Sequence, residues 1–285
     1  MAIDRVRRVT QWLGALLGHG YLMVFVTRAI YQGPLKGLCM PMLSCFACPA
    51  AITACPIGTL QHFMTQGQVP WLLLGALVVV GTLFARMTCG WLCPFGLLQD
   101  LLYRIPGPKI SLPPQLAYAK YGVLVILVVL LPVVTKVPWF SQLCPVGTLT
   151  AGIPWMLWDP AGAVGGRPSL AGSAGTLFAV KIGILVAFLV LFTAVKRPFC
   201  RAACPLGAIL SLFGRVSLVR LHVSPACNGC GKCQGLCPVD HKVWEAPDSG
   251  ECIRCLACTR CRHVQVGIGS PDRAVDPARD PLATE

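Results

Sequence analysis

Charge is scarce in this chain. Only 12% of its 285 residues are charged and Asp plus Glu number 11, against 55% hydrophobic residues. So few ionised groups cannot clothe a soluble domain of this length, and the mean hydropathy of +0.68 points to a membrane protein. Histidines number five, and no two are placed on separate apolar segments so as to bracket a b-type haem. Also missing are a phosphate-binding Gly-rich loop, a nucleotide fingerprint and a nucleophile beside an obvious base, which leaves a hydrolase or a nucleotide-driven pump unsupported. The net charge is +13, but the basic residues do not gather into one patch with interleaved aromatics, which excludes a nucleic-acid binder.

What the chain has instead is long apolar runs and cysteine. Crossing roughly 30 Å of hydrocarbon takes about 20 mostly apolar residues. Four segments meet that standard, about 9–31, 69–88, 117–135 and 175–195, so the expected fold is an α-helical integral membrane protein with four transmembrane helices. Arg5, Arg7 and Arg8 precede the first run as they would in a signal peptide, but no small-residue cleavage site follows, and the run is expected to be retained. With the N-terminus inside, the inner flanks hold Arg5, Arg7, Arg8, Arg86, Arg104, Lys109, Lys120, Lys196, Arg197, Arg201 and Arg215. The outer flanks hold Arg28, Lys36, Lys136, Arg167 and Lys181. Positive charge therefore places both termini in the cytoplasm and the loops around 32–68 and 136–174 outside.

One short phrase recurs near the end of each run: Cys55-Pro-Ile-Gly, Cys93-Pro-Phe-Gly, Cys144-Pro-Val-Gly and Cys204-Pro-Leu-Gly. The second and fourth copies extend to Cys89-x3-Cys93-Pro94 and Cys200-x3-Cys204-Pro205. The pattern reads as a duplicated two-helix unit whose halves share one orientation about an axis along the membrane normal. Proline biases the cysteine before it toward extended backbone, and glycine allows a tight turn. The phrase thus presents a thiolate at the start of a short helix, where the helix dipole helps to hold negative charge. The bland alternative is that proline and glycine merely punctuate helix ends around small buried cysteines.

Seventeen cysteines require an accounting. The polar tail carries Cys227-x2-Cys230-x2-Cys233-x3-Cys237-Pro238, the run of a bacterial 4Fe–4S ferredoxin, whose fourth cysteine ligates the other cluster of a pair. A second run, Cys252-x2-Cys255-x2-Cys258-x2-Cys261, departs in its last spacing and lacks the proline. The exchange assigns Cys227, Cys230, Cys233 and Cys261 to one cluster, and Cys252, Cys255, Cys258 and Cys237 to the other. Two zinc sites are the competing reading of the tail. Cys89, Cys93, Cys200 and Cys204 form an inner tetrad. Cys45, Cys48, Cys55 and Cys144 form an outer one, with two alternatives: disulfides on an oxidising face, or Cys39 in place of one member. Iron–sulfur centres on both faces and in the tail have transmembrane electron transfer as their simplest common purpose. No residue is assigned a catalytic role. The domain reading is a membrane domain over 1–215, a 2×4Fe–4S ferredoxin-like domain over 216–270 and a polar tail over 271–285.

With Cys89-x3-Cys93-Pro94, Cys200-x3-Cys204-Pro205 and the two tail runs, nearly the whole chain resembles the NapH and MauN type of ferredoxin-like membrane protein, related to the membrane half of NosR regulators and to CcoG-type polyferredoxins. The resemblance implies an inner-membrane electron-transfer subunit or quinol dehydrogenase component, working with redox subunits of a membrane complex, a periplasmic acceptor or donor, and a quinone. A third reading makes the protein a metal-handling or maturation factor, with Cys39, Met40 and Met42 as soft ligands.

A few polar residues lie in or beside the apolar runs. Arg28 and Lys181 read as snorkelling to the outer surface. His19 reads either as a hydrogen-bonding partner for a neighbouring helix or as a contact to a quinone. His62 reads as a surface residue, or as a neighbour of the outer set or of a partner's haem. Trp71, Trp139, Trp155 and Trp158 read as an interfacial belt.

Overall fold

The structure is a computed structural model that describes residues 2–27, 30–158 and 175–268. Arg28, Arg167 and the tail over 271–285 lie outside the described residues. Helix α1, Ala2–His19, opens the chain. It stops well short of the expected run to 31, because Gly20 breaks it and the loop at 50–52 takes over its end. Ile52 donates its N–H to the Gly18 carbonyl at 3.0 Å, and Tyr21 donates to Ala50 at 3.1 Å. A carbonyl orphaned at the helix end thus finds its partner in a loop rather than in another turn.

Helix α2, Pro56–Thr65, begins at the first copy of the repeated phrase. Helix α3, Trp71–Phe84, has 14 residues, about 21 Å at 1.5 Å per residue, less than the roughly 30 Å of a bilayer core. It ends at Ala85, whose φ of +48° turns the chain sharply. Two described helices are long and apolar enough to cross a membrane: α6, Pro114–Thr135, and α9, Thr176–Ala194. Only 11% of the apolar window of α9 is buried, so its greasy surface faces outward, as lipid contact requires. Helix α6 contains a π-helical stretch, Val123–Leu130. There the buried Gln61 of α2 donates to the Leu127 carbonyl at 2.9 Å, a side chain let into a widened ladder.

Between these lie short helices: α4 Met87–Trp91, α5 Pro94–Leu102, α7 Trp139–Leu143 and a run over 145–158 taken as α8. After α9 come α10 Pro198–Ala202 and α11 Pro205–Ser211. The packing repeats with the sequence. Helix α5 lies on α9, and α11 lies on α3.

The tail forms a two-stranded antiparallel sheet, β1 Val219–Val223 against β2 Val264–Ile268, with Val219 opposite Ile268 and Val223 opposite Val264. The intervening segment, with helix α12 Lys232–Leu236, is closed over a small core of Leu221, Val243 and Val264. A larger core runs without a break from Met42 and Cys144 through Cys93 and Cys204 to Ile253 and Cys255.

Candidate metal centres

Each copy of the repeated phrase folds alike. Cys55, Cys93, Cys144 and Cys204 cap α2, α5, α8 and α11 with extended backbone (ψ between 111° and 126°), and the following proline opens each helix. The glycine three residues on turns its N–H back toward the sulfur. Gly207 donates to Cys204 Sγ at 3.3 Å. Gly58, Gly96 and Gly147 act on Cys55, Cys93 and Cys144 in the same way with looser geometry. N–H groups aimed at sulfur stabilise a thiolate.

In the set expected to lie on the outer side, Cys45 neighbours Cys48, and the charges of Cys55 and Cys45 act on Cys144. An apolar cavity of about 30 Å³ lies among Cys45, Cys55, Phe140 and Cys144. Burial pushes the Cys55 thiol up to about 11 and Cys144 up to about 12, so these thiols stay protonated until a metal displaces the proton. Lys36 and Lys181 bring positive charge to Cys45, a role for Lys181 beyond snorkelling. Cys39 stands apart, paired with Thr59 at 3.3 Å and bridged to Ala54. Met42 is buried beneath Gly18. Trp155 departs from the belt reading: its Nε1 donates to Ala47 at 2.7 Å, and its ring packs against Cys48 and Ala51. Trp71 is 77% exposed, and Trp139 bonds Thr135 at 2.9 Å. His62 meets Gln66 at 3.0 Å on the surface. His19 bonds the Ala15 carbonyl at 3.3 Å through Nδ1.

The inner cysteines are all buried, and Cys89, Cys93, Cys200 and Cys204 are electrostatic neighbours of one another. Gln99 donates to Cys200 Sγ at 3.1 Å. Leu43 turns its N–H toward Cys93, and the next N–H, of Ser44, faces Cys55. One peptide segment therefore serves both an inner and an outer sulfur.

In the tail, Cys261 and Cys227 act on Cys233, while Cys230 occupies the same loop and is exposed. Cys237 is placed with the other group: its charge acts on Cys252, Cys255 and Cys258. His241 and Arg254 donate backbone N–H groups to Cys237 and Cys252 at 3.5 Å and 3.4 Å. This second tail group docks on the inner one. Trp91 donates to the Arg254 carbonyl at 3.0 Å, and a Cβ on Gly90 would stand 2.8 Å from the Ile253 carbonyl and 3.7 Å from Cys255 Cβ.

Among the described residues no three His, Cys, Asp or Glu side chains are placed to hold a single metal ion. Cysteine-only groups with the spacing Cys227-x2-Cys230-x2-Cys233-x3-Cys237 suit a 4Fe–4S core. Arg7 adds a second sign of fit: it is buried, its Nε and Nη1 have no partner, and its charge acts on Cys255. An anionic core at that group would give those donors an acceptor. The residues present thus fit iron–sulfur clusters.

Sequence reasoning counted Arg86 and Arg197 only as flanking charge, though both are buried, and passed over Gln99 and Gly90. The signal for the arginines was present, since both inner copies read Arg-x2-Cys-x3-Cys-Pro-x-Gly.

The profile of a 4Fe–4S binding domain family matches residues 53–71, 66–113 and 176–224. An uncharacterized protein of Methanocaldococcus jannaschii is 32% identical, over 72% of this chain and 81% of its own length. The ferredoxin-type protein NapH of Escherichia coli is 25% identical over 91% of this chain and 85% of its own. The methylamine utilization ferredoxin-type protein MauN of Methylorubrum extorquens is 26% identical over 67% and 62%. No solved structure matches the chain.

Proposed function

The chain belongs to the NapH/MauN-type family of 4Fe–4S ferredoxin-type proteins, and from that premise we propose that it conducts electrons across the cytoplasmic membrane. Its membrane domain over 1–215 is a duplicated unit of four membrane passes with both termini inside, and 216–270 is a cytoplasmic ferredoxin-like domain. Cys227, Cys230, Cys233 and Cys261 hold one tail cluster. Cys237, Cys252, Cys255 and Cys258 hold the second. Cys89, Cys93, Cys200 and Cys204 hold an inner membrane cluster, and Cys45, Cys48, Cys55 and Cys144 an outer one. The clusters supply one-electron transfer, and the protein supplies their ligands, spacing and shielding from water. Partners are redox subunits of a membrane complex and a periplasmic donor or acceptor.

The observation that carries this reading is the sorting of the cysteines into neighbouring groups along one unbroken core, from Cys144 at one end through Cys93 and Cys204 to Cys255. The deciding measurement is iron and acid-labile sulfide per chain on anaerobically purified protein. About sixteen of each are expected. About twelve would leave the outer cysteines to another role, and zinc in place of iron would overturn the reading.

A quinol dehydrogenase reading is favoured by one feature. A groove of about 380 Å³ beside Cys45 is lined by Trp155, Phe178, Lys181 and Gln142, an apolar slot with polar ends of the kind that takes a quinone ring. A semiquinone signal that is lost in Trp155→Ala protein would establish it.

A further inference from the structure

Arg86 and Arg197 are unused by the ligand argument. Each stands three residues ahead of an inner cysteine, and each reaches across to the other half. Arg86 Nη2 donates to the Cys200 carbonyl at 2.8 Å, and Arg197 Nη1 donates to the Cys89 carbonyl at 3.1 Å. Both are only 1% exposed, so neither is a snorkelling cation of the inner surface. Glycine makes the room: a Cβ on Gly96 would lie 3.1 Å from Arg197 Nη1, and one on Gly207 3.3 Å from Arg86 Nη2. The glycine that turns its N–H toward its own sulfur therefore also walls the slot of the opposite arginine.

The two arms differ in their counter-charges. Arg197 grips Asp100 in a fork, through Nε at 2.7 Å and Nη2 at 2.5 Å. Arg86 reaches into the tail, to the Gly250 carbonyl at 3.0 Å and the Glu251 carboxylate at 3.3 Å, beside Cys252. Lys120 closes on the other oxygen of Glu251.

We infer that Arg86 and Arg197 form a reciprocal cationic clamp that sets the reduction potential of the centre held by Cys89, Cys93, Cys200 and Cys204, and that the Arg86 arm couples that centre to the tail group at Cys252. This rests on the proposed cluster at those cysteines. A core bound by four thiolates is anionic, and one added electron deepens its negative charge. Fixed positive charge in a water-poor site favours the reduced form, and hydrogen bonds to the cysteine carbonyls hold the guanidinium groups in place. Both act as positioning residues: they touch the ligands' backbone, not the substrate of any reaction.

The test is a potentiometric EPR titration of full-length protein purified anaerobically, with iron counted in every variant. Cys200→Ala first identifies the inner signal by its loss. Arg197→Gln is expected to move the midpoint of that signal to more negative potential, Arg197→Lys by less, and Asp100→Asn to more positive potential, since it unmasks the charge of Arg197 and of Arg7, which shares the carboxylate at 3.4 Å. Arg86→Gln is expected to shift both the inner signal and the nearer tail signal, through the loss of its contacts with Gly250 and Glu251, and Arg197→Gln, whose lost charge also reaches Cys255, is expected to shift the inner signal more than the tail one. Opposite signs at Arg197 and Asp100 cannot come from general loosening, and the Asp100→Asn arm decides if Arg197→Gln loses iron. Midpoints that stay in place, or move the same way in both variants, overturn the clamp. A Cys200→Ala chain with all signals and all its iron overturns instead the cluster on which the clamp rests.

Discussion

Gly90 shows how much one missing side chain can decide. It sits between Cys89 and Cys93 where the Ile253 carbonyl presses in, and that backbone cannot withdraw as the tip of a flexible side chain could. Gly90→Ala is expected to cost about 1–3 kcal/mol and to loosen the tail. The thermal melting point and the rate of proteolysis between the membrane and tail segments read it out. At Asp100 the issue is charge. Removing it leaves Arg197 buried without its counter-ion, although burial alone opposes that charge and Asp100 is what restores it. Asp100→Ala is expected to cost roughly 3–5 kcal/mol, measurable as a fall in melting point that Asp100→Glu largely avoids. Glu251 is held in a similar balance. Burial works to raise its carboxyl, but Arg86 and Lys120 outweigh it and keep it below the usual carboxylate range. At this scale the sequence was highly legible wherever chemistry is local. Proline after cysteine already dictates extended backbone and a helix start. The long-range partners of Arg86 and Arg197 were not legible, because nothing in a residue's neighbours says which carbonyl 114 or 108 positions away it will meet.

Helices were read well where composition is uniform and poorly where the chain folds back. The runs near 117–135 and 175–195 appear almost as expected, as Pro114–Thr135 and Thr176–Ala194. The run at 9–31 is not one helix: it breaks after His19 and resumes only as a single turn at Val24–Thr27. Hydropathy records that residues are apolar, but not whether they turn against an equally apolar loop, and here the loop at 50–52 bonds the Gly18 carbonyl and Tyr21, with the Ile52 side chain beside Gly20. The shortness of Trp71–Phe84 has the same origin, since the left-handed turn at Ala85 diverts the chain so that Arg86 can enter the core. Helix α9 makes the lipid-facing claim testable. Val186 lies near its middle and is 51% exposed. Val186→Arg is expected to oppose membrane integration by about 2.5–3.5 kcal/mol, seen as a lower membrane-integrated fraction in a glycosylation-mapping assay, whereas Arg at exposed Val266 of the tail leaves insertion unchanged.

For the molecule as a whole, the cysteine groups lie in order of increasing shelter. Cys230 is the exposed member among the cysteines, while the inner four are buried. Air exposure is therefore expected to strip iron from the Cys227–Cys233 loop first and from the inner set last, followed by iron content and by signal loss over time. Spacing predicts that Cys237 leaves its own tail run for the other and Cys261 the reverse, and the structure brings Cys237 beside Cys252, Cys255 and Cys258, and Cys261 beside Cys233. How near the outer and inner groups approach could not be read from spacing, since it depends on the loop over 38–55 dipping into the core. That loop spends two consecutive peptide N–H groups on two different sulfurs, Leu43 on Cys93 and Ser44 on Cys55. With a cluster in each group, as proposed, such sharing is expected to make assembly cooperative. A segment that must be in register for both centres cannot settle for one alone, so filling either pre-forms the other. Native mass spectrometry of chains loaded with limiting iron should then show these two centres arriving together, with few half-filled molecules, and a statistical spread of single occupancies would show that they mature independently.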